Sequence, residues 1–415
     1  MPLRILHVTP YYEDAWAYGG IPRLATAMAR GLAERGHDVT VCTTDVCDER
    51  TRIPAPDRRG PFGSNRSPRR SHGVTVRVFP NLSNRLAYHV QFFLPIGLGR
   101  YLGRHGADFD VAHIHAHHHV PGALAARHLT RARVPYVLAP NGTAPRLERR
   151  RLAKWLFDLT AGRHVLPGAA RVLAVSEAER RQLLGLGVPA ARITVLPNPM
   201  DLGEFDGLPP VGRFRARLGL PAGPLVLYLG KLTPRKRLDV LIDAFGRLER
   251  RDARLVIAGN DMGIGRAVRQ QLDQLGLRGV TELTGLLVGR ERLEALIDAD
   301  AVVYPSRDEV FGLVPFEALL CGTPVVVADD SGCAEYVRQT GGGLIVPQGD
   351  APALAGSLRQ ILGEPERWAR AAREAAPRVR ASFASAVVCE RLERLYEELV
   401  GASTGHRSAR IRASA

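Results

Sequence analysis

The chain has 415 residues, 45% hydrophobic and 24% charged, a balance that suits a globular protein with room for two cores and excludes a disordered or fibrous one. Its net charge of +15 favours anionic partners, yet only three of its 57 basic residues are lysine (Lys154, Lys231, Lys236), so arginine-rich composition accounts for much of the charge. Five scattered cysteines (Cys42, Cys47, Cys321, Cys333, Cys389) exclude a disulfide framework and fit a reducing compartment, and no run approaches the ~20 apolar residues of a membrane span.

The first strand is expected at Arg4–Val8, so MPLRILHV reads as structure rather than a signal peptide, and a cytoplasmic protein is expected. After Gly19–Gly20, Leu24, Ala27, Met28 and Leu32 recur at helical spacing, and Gly36 stops that helix. Val39–Thr43 is the next strand. Asp48–His72 has no periodicity and reads as a long basic loop. Strands follow at Arg77–Phe79, Asp110–His115, Tyr136–Ala139, Val172–Val175 and Ile193–Leu196. Between them, Leu86–Arg104 is apolar with Arg and Tyr flanks. It reads either as a face for an acidic membrane surface or as a buried helix pair.

PNPMDLGEFDGLPP (Pro197–Pro210) is rich in Pro and Gly and reads as a connection between domains. The alternation then restarts with strands at Leu225–Leu229, Leu255–Ala258, Ala301–Tyr304 and Val325–Ala328. Leu238, Leu241, Ile242, Phe245 and Leu248 mark one face of a helix between the first two. Glu364–Val400 is helical in pattern, and residues 401–415 read as a basic disordered tail. Alternating strands and helices in two successive halves predict two parallel α/β domains, with ligands beyond the carboxyl ends of the strands.

Two stretches at such ends carry chemistry. In DEVFGLVPFEALLCGTPVVVADD (Asp308–Asp330), Pro315 suits a first helical turn, so a helix is expected to start near Gly312–Leu313. Its free N–H groups would form an anion site, which Gly312 would let a phosphate approach. Glu309 precedes the helix on the loop, and Glu317 is expected in its first turn, where a carboxylate can accept bonds from the two hydroxyls of a ribose. In LVLYLGKLTPRKRLDVLIDAF (Leu225–Phe245), Lys231 and Lys236 follow a strand end. Two of the chain's three lysines in one loop are not explained by composition, and a compact ammonium suits a diphosphate.

These stretches resemble the signature of the family 4 retaining glycosyltransferases: a Glu pair eight apart around Phe311–Gly312–Leu313, then E-A-x-x-x-G-T-P-V-V from Glu317, with the lysines upstream. The resemblance extends to Gly19–Gly20, RGHDVTV (Arg35–Val41), SEAE (Ser176–Glu179) and PNPMD (Pro197–Asp201). It implies the GT-B fold, an α/β architecture of two Rossmann-like domains facing an interdomain cleft. Residues 1–203 would form the acceptor domain, with a helix at about 385–400 packing back on it, and 204–384 the donor domain. It further implies that Lys231, Lys236 and Glu309 act in catalysis. Lys231 and Lys236 would hold the donor diphosphate, Glu309 the sugar and Glu317 the ribose. The backbone at Phe311–Leu313 would hold phosphate or sugar, and Gly19–Gly20 would close over the diphosphate.

The partners implied are a nucleoside-diphosphate sugar and a hydroxyl acceptor: a saccharide, a lipid-linked saccharide with peripheral membrane association, or a small molecule. Neither a metal nor another cofactor is expected. Where the family often has T-x-H-G, this chain reads LAPNGTAPR, with Asn141 in place of the His; Asn can bond a sugar hydroxyl but cannot act as a base. Within HIHAHHH (His113–His119), His113 and His115 share one side of a strand. No Cys or carboxylate cluster accompanies them in sequence, so they are read as acceptor-side or structural rather than as metal ligands, with His115 and Asn141 assigned to the acceptor side. Two other classes fit less well: a basic nucleic-acid-binding module, which lacks a stacking motif here, and a nucleotide-sugar epimerase, for which the Glu pair is not expected.

Overall fold

The computed structural model describes residues 1–13, 15–53, 68–146 and 151–413. The chain divides into two compact units, Met1–Met200 with Ser385–Ala415, and Asp201–Ala384.

In the first unit β1 (Arg4–Val8), β2 (Asp38–Thr44), β3 (Arg69–Ser71), β4 (Val74–Phe79), β5 (Val111–His115), β6 (Tyr136–Ala139), β7 (Arg171–Ala174) and β8 (Ile193–Val195) form one sheet. Their order is β3-β4-β2-β1-β5-β6-β7-β8. Only β3 runs antiparallel to its neighbour. The central strands are continuous apolar runs because helices cover both faces. On one face Ile5, Val39, Val111 and Val137 pack with Leu24, Met28 and Leu32 of the helix Gly20–Glu34, and with Val388, Leu392 and Tyr396 of the helix Ser385–Ala413. On the other, Leu6, Val8, Ala112, Ile114 and Leu138 pack with Leu98, Leu102, Ala125 and Leu129.

In the second unit β9 (Leu225–Leu229), β10 (Arg254–Ala258), β11 (Thr281–Gly285), β12 (Ala301–Tyr304), β13 (Val325–Ala328) and β14 (Gly343–Val346) are all parallel, in the order β11-β10-β9-β12-β13-β14. The strand order reverses direction between β9 and β12. Connections leave these two strands toward opposite faces, opening a crevice at their carboxyl ends. The helix Leu238–Gly246 buries Leu238, Leu241, Ile242 and Phe245, the stripe read from their spacing.

Several expectations change. Residues 54–67 of the expected basic loop lie outside the described residues, and the loop's end is a strand, β3, pairing on β4. β11 and β14 escaped the reading because they are edge strands whose outward residues stay partly exposed, which weakens the apolar signal. The C-terminal helical stretch is two helices, Pro365–Phe383 and Ser385–Ala413, broken at Ala384, whose ψ of 131° is extended. The second runs on to Ala413, into the segment expected as a tail; no proline interrupts it. Leu86–Arg104 is a helix pair, Asn84–Val90 and Leu98–His105. It buries Ala87, Phe93, Leu98 and Leu102 but leaves Leu86, Val90, Phe92 and Ile96 exposed. Among the described residues, no helix is long and apolar enough to cross a membrane.

Candidate active site

The crevice between β9 and β12 in the second unit gathers the residues with the strongest chemistry. Past β9, the Tyr228 hydroxyl donates to the Lys231 carbonyl at 2.9 Å, fixing the turn that carries Lys231. Pro234 then starts a single 3-10 turn, Pro234–Lys236, which sends Lys236 back over the end of β12. Its Nζ lies 4.4 Å from the Tyr304 ring centroid and donates to both the Tyr304 hydroxyl and Glu309 Oε2. The Tyr304 hydroxyl also donates to Glu309 Oε2, at 3.3 Å. The side chains of Lys236 and Glu309 are only 15% and 14% exposed, so water screens the pair weakly while leaving it one open edge.

Arg235 ties the two loops together. Its carbonyl accepts from the Arg307 N–H at 2.8 Å, and its Nη2 donates to the Asp308 carbonyl at 2.6 Å. Burial alone would raise the Glu309 carboxyl, but Lys236 and then Arg235 outweigh it and hold it below its ordinary value, so Glu309 is anionic at neutral pH. Burial, reinforced by Glu309, pushes the Tyr304 hydroxyl well up, so it stays a neutral donor.

The helix Leu313–Leu320 opens at this point, with Gly312 as its N-cap. Gly312 has φ −105° and ψ 130°, a conformation open to any residue, so backbone freedom does not explain it. Space does. A Cβ there would lie 2.5 Å from Tyr304 Cε1, 2.7 Å from Cζ and 2.9 Å from the hydroxyl oxygen. The glycine therefore makes room for the tyrosine under Lys236, and not only for a phosphate. We predict that Gly312→Ala displaces Tyr304 and costs about 1–3 kcal/mol of stability, as overpacking does. In urea unfolding, Gly312→Ala should cost much less stability in a Tyr304→Ala background, where the clashing ring is gone; an equal cost in both backgrounds would reject the clash. The Phe311 side chain is core, packed on Phe316, Tyr336 and Phe383 at centroid distances of 5.2, 5.5 and 5.4 Å. Only its backbone is placed to serve the site. Leu313 and Val314 are half-buried and carry first-turn N–H groups without intrahelical acceptors.

Glu317 departs from expectation. It is the fifth residue of the helix, not a first-turn residue, and is fully buried. Its Oε2 lies 2.6 Å from Nη1 of Arg292, which is itself 4% exposed and also pairs with Glu204. The sequence reading missed Arg292. Its position three and four residues before the buried Ala295 and Leu296 places it on the apolar face of the helix Gly289–Asp298, a signal lost among many arginines.

In the first unit, Gly19 has φ 92° and ψ −143°, a region in practice reserved for glycine, and caps the 15-residue helix Gly20–Glu34 without a side-chain bond. The first-turn N–H groups of that helix form a second potential anion cradle. Asn141 sits in the left-handed region at φ 52°, which Asn tolerates well. Its Nδ2 donates to the Ala139 carbonyl at 3.0 Å, and its Oδ1 has no hydrogen-bond partner among the described residues. The turn is pinned by buried Glu179 of the SEAE motif, which accepts from the N–H groups of Gly142 (2.6 Å) and Val175 (2.9 Å). His115 is completely buried and bonded to His7 at 2.9 Å, so its ring offers no surface to an acceptor; the neighbouring apolar core encloses it.

Residues 213–378 match the family described as glycosyl transferases group 1, and residues 19–199 match the glycosyl transferase 4-like domain. The D-inositol 3-phosphate glycosyltransferase of Frankia alni is 30% identical over 391 residues, covering 88% of this chain and 92% of the relative. That of Kineococcus radiotolerans is 33% identical over 291 residues, covering 63% and 67%. The alpha-D-kanosaminyltransferase of Streptomyces kanamyceticus is 30% identical over 259 residues, covering 60% and 64%. In structure, HepE of Anabaena, solved with UDP and glucose, superposes with a TM-score of 0.73 at 19% identity, covering 95% of this chain and 100% of that one. Sucrose-phosphate synthase of Thermosynechococcus elongatus superposes with a TM-score of 0.74 at 22% identity, covering 96% and 99%. Matches to both halves, together with a relative covered across nearly its whole length, establish the chain as a member of the family 4 glycosyltransferases, with the GT-B fold.

Proposed function

We propose that the enzyme transfers a sugar from a nucleoside-diphosphate sugar to a hydroxyl acceptor, with retention at the anomeric carbon and without a metal in the reaction. The observation that carries this reading is the Lys236–Tyr304–Glu309 group beside a helix N-terminus at the switch point of the second unit. Lys236, Lys231 and the helix N–H groups supply the positive potential that a departing diphosphate needs, a task a divalent ion would otherwise perform. Glu309 is anionic and holds Lys236, leaving its remaining capacity for sugar hydroxyls. In the proposed step the bond from C1 to the diphosphate oxygen breaks. The acceptor oxygen bonds C1 on the same face, and its proton passes to the departing phosphate. Asn141 Oδ1 has no hydrogen-bond partner among the described residues but is shielded from solvent, so it would accept from an acceptor hydroxyl only once its turn opens.

UDP is the first nucleotide to test, because HepE was solved with it. The inositol phosphate and kanosaminyl relatives favour a small polyhydroxylated acceptor. A lipid-linked acceptor is the second reading, supported by the exposed Leu86, Val90, Phe92 and Ile96.

Two outcomes are expected. Proton NMR of the product will show the donor's anomeric configuration kept; an inverted centre rejects the mechanism. Release of nucleoside diphosphate will continue in EDTA at an undiminished rate. Loss on chelation with recovery on adding Mg²⁺ or Mn²⁺ would place a metal in the reaction and displace the lysines from that role.

A further inference from the structure

The helix Arg151–Leu159 in the first unit is built inside out. Leu152, Trp155, Leu156 and Leu159 recur at i, i+3, i+4 and i+7, so they share one face. An amphipathic helix ordinarily turns that face to the core, yet these four residues are 75%, 44%, 55% and 54% exposed. The opposite face holds the helix down, largely by polar contacts. Lys154 Nζ donates to the Pro145 carbonyl at 3.3 Å. Asp158 accepts from Arg146 Nε at 2.8 Å and lies 2.9 Å from His118 Nε2. The Phe157 ring meets those of His117 and His118 edge-on, at centroid distances of 5.9 and 5.6 Å. These anchors, not the leucines, fix the helix, and its apolar stripe is left facing water.

The place of the helix in the fold narrows its role. Its anchors lie just past the carboxyl ends of β5 and β6. β4, β2, β1, β5 and β6 run parallel, so their carboxyl ends form one edge of the sheet. Past β4, at the same edge, Leu86, Val90, Phe92 and Ile96 are also exposed, while Phe93 between them packs on Tyr11 and Tyr18 just beyond β1. β4 and β6 are four positions apart in the sheet order, about 19 Å at the usual strand spacing. Two apolar patches on one rim differ from the single hydrophobic residues that soluble surfaces scatter. The charge around them is one-sided. Residues 80–105 and 141–159 together hold eight basic residues and two acidic ones, and one of the acids, Asp158, is already bonded to Arg146.

We propose that this rim of the first unit docks on an anionic lipid bilayer, with the helix Arg151–Leu159 lying in the headgroup layer. A nine-residue helix is about 14 Å long, under half of the ~30 Å hydrocarbon core, so it lies in the plane of the membrane and does not cross it. Its leucines enter the acyl boundary, and Trp155 takes the interfacial position that an amphipathic ring favours. The arginines of the two segments meet the lipid phosphates. A flat surface reaches both patches at once. A second copy of the chain fits worse, because a twofold contact would set one basic rim against its equal. The turn that carries Asn141 leads into this helix, so docking sets the acceptor side of the enzyme against the headgroups. Docking thereby deepens the lipid-linked reading of the acceptor, but vesicle binding needs neither donor nor acceptor and is read apart from transfer.

The test is vesicle binding by the full chain. Cosedimentation with vesicles of equal parts phosphatidylglycerol and phosphatidylcholine is expected at low salt, weakening as salt rises, with little on phosphatidylcholine alone. Tryptophan emission will shift to shorter wavelength on binding, and Trp155→Phe will abolish the shift. Leu152→Ser/Leu156→Ser/Leu159→Ser will lower binding at least about tenfold, because apolar burial drives insertion. All three leucines are more than half exposed, so this variant keeps the thermal midpoint of the unaltered protein. Leu184→Ser/Leu186→Ser will leave binding unchanged; these leucines are exposed where the helix Glu177–Gly185 ends and the chain returns toward the start of β8. Failure of the unaltered protein to bind the mixed vesicles overturns the proposal. So does equal loss in the two leucine variants, or an emission shift that survives Trp155→Phe. A dimer in light scattering that the triple variant dissolves, without vesicle binding, gives the face to a second copy and overturns it as well.

Discussion

Lys236→Ala will lower kcat by a factor of about 100–1000 while changing the affinity for a neutral acceptor little. Negative charge grows on the diphosphate as the glycosidic bond breaks, so a fixed cation at the β9–β12 crevice favours the transition state over the ground state. The geometry adds a second cost. Lys236 sits on the Tyr304 ring and engages both its hydroxyl and Glu309, so its removal frees the whole group. Lys236 is also the foremost influence keeping the Glu309 carboxyl low against burial. Without it that carboxyl titrates at higher pH, and the acid limb of the pH–rate profile should move up in the variant. Lys236→Arg is the finer probe. A planar guanidinium is larger than an ammonium and cannot occupy the same point between ring, hydroxyl and carboxylate. Arg is therefore expected to restore little of the rate. Near-normal turnover in Lys236→Ala would show that the loop is ordinary surface, and full rescue by Arg would show that charge alone suffices.

The central strands were legible because parallel strands covered on both faces must be apolar throughout: RILHV, LVLYL, AVVY and VVVA stand out from any helix. Lys236 and Glu309 were legible for a different reason. They follow strand ends, and lysine is rare in this chain. Their bond to one another was not, since 73 residues separate them. Tyr304 was read only as the last residue of a strand. The steric role of Gly312 beside Tyr304 was not legible because the two residues come from different elements. His7 shows the same limit: nothing local joins it to His115, 108 residues away, and only the pairing of β1 with β5 does so. The helix start at Gly312–Leu313 was read correctly, but Glu317, the fifth residue from that start, lies past the first turn where it was expected.

Arg292→Met will destabilise the second unit by about 3–5 kcal/mol, the penalty for leaving one partner of a buried ion pair alone. Glu317 has no exposed surface through which water could compensate the loss, and the variant carries no cation in place of the guanidinium. Glu317→Gln should cost less, about 1–3 kcal/mol, because the amide oxygen still accepts from Arg292, which also keeps Glu204. Glu204 is 30% exposed at its side chain and can be hydrated when it loses its partner. The double variant Arg292→Met/Glu317→Leu should therefore recover most of the stability lost in Arg292→Met, since an apolar pair of similar volume can replace a buried salt bridge at little or no net cost. Urea unfolding of the second unit measures all three. Nucleotide titration then separates architecture from binding. If Glu317 contacts the ribose, with Arg292 as its positioning residue, the stable double variant will still bind UDP at least about tenfold more weakly, as loss of one charged hydrogen bond implies. If the pair only holds the helix Leu313–Leu320 to the helix Gly289–Asp298, the double variant will bind UDP as the unaltered enzyme does, and the ribose assignment fails.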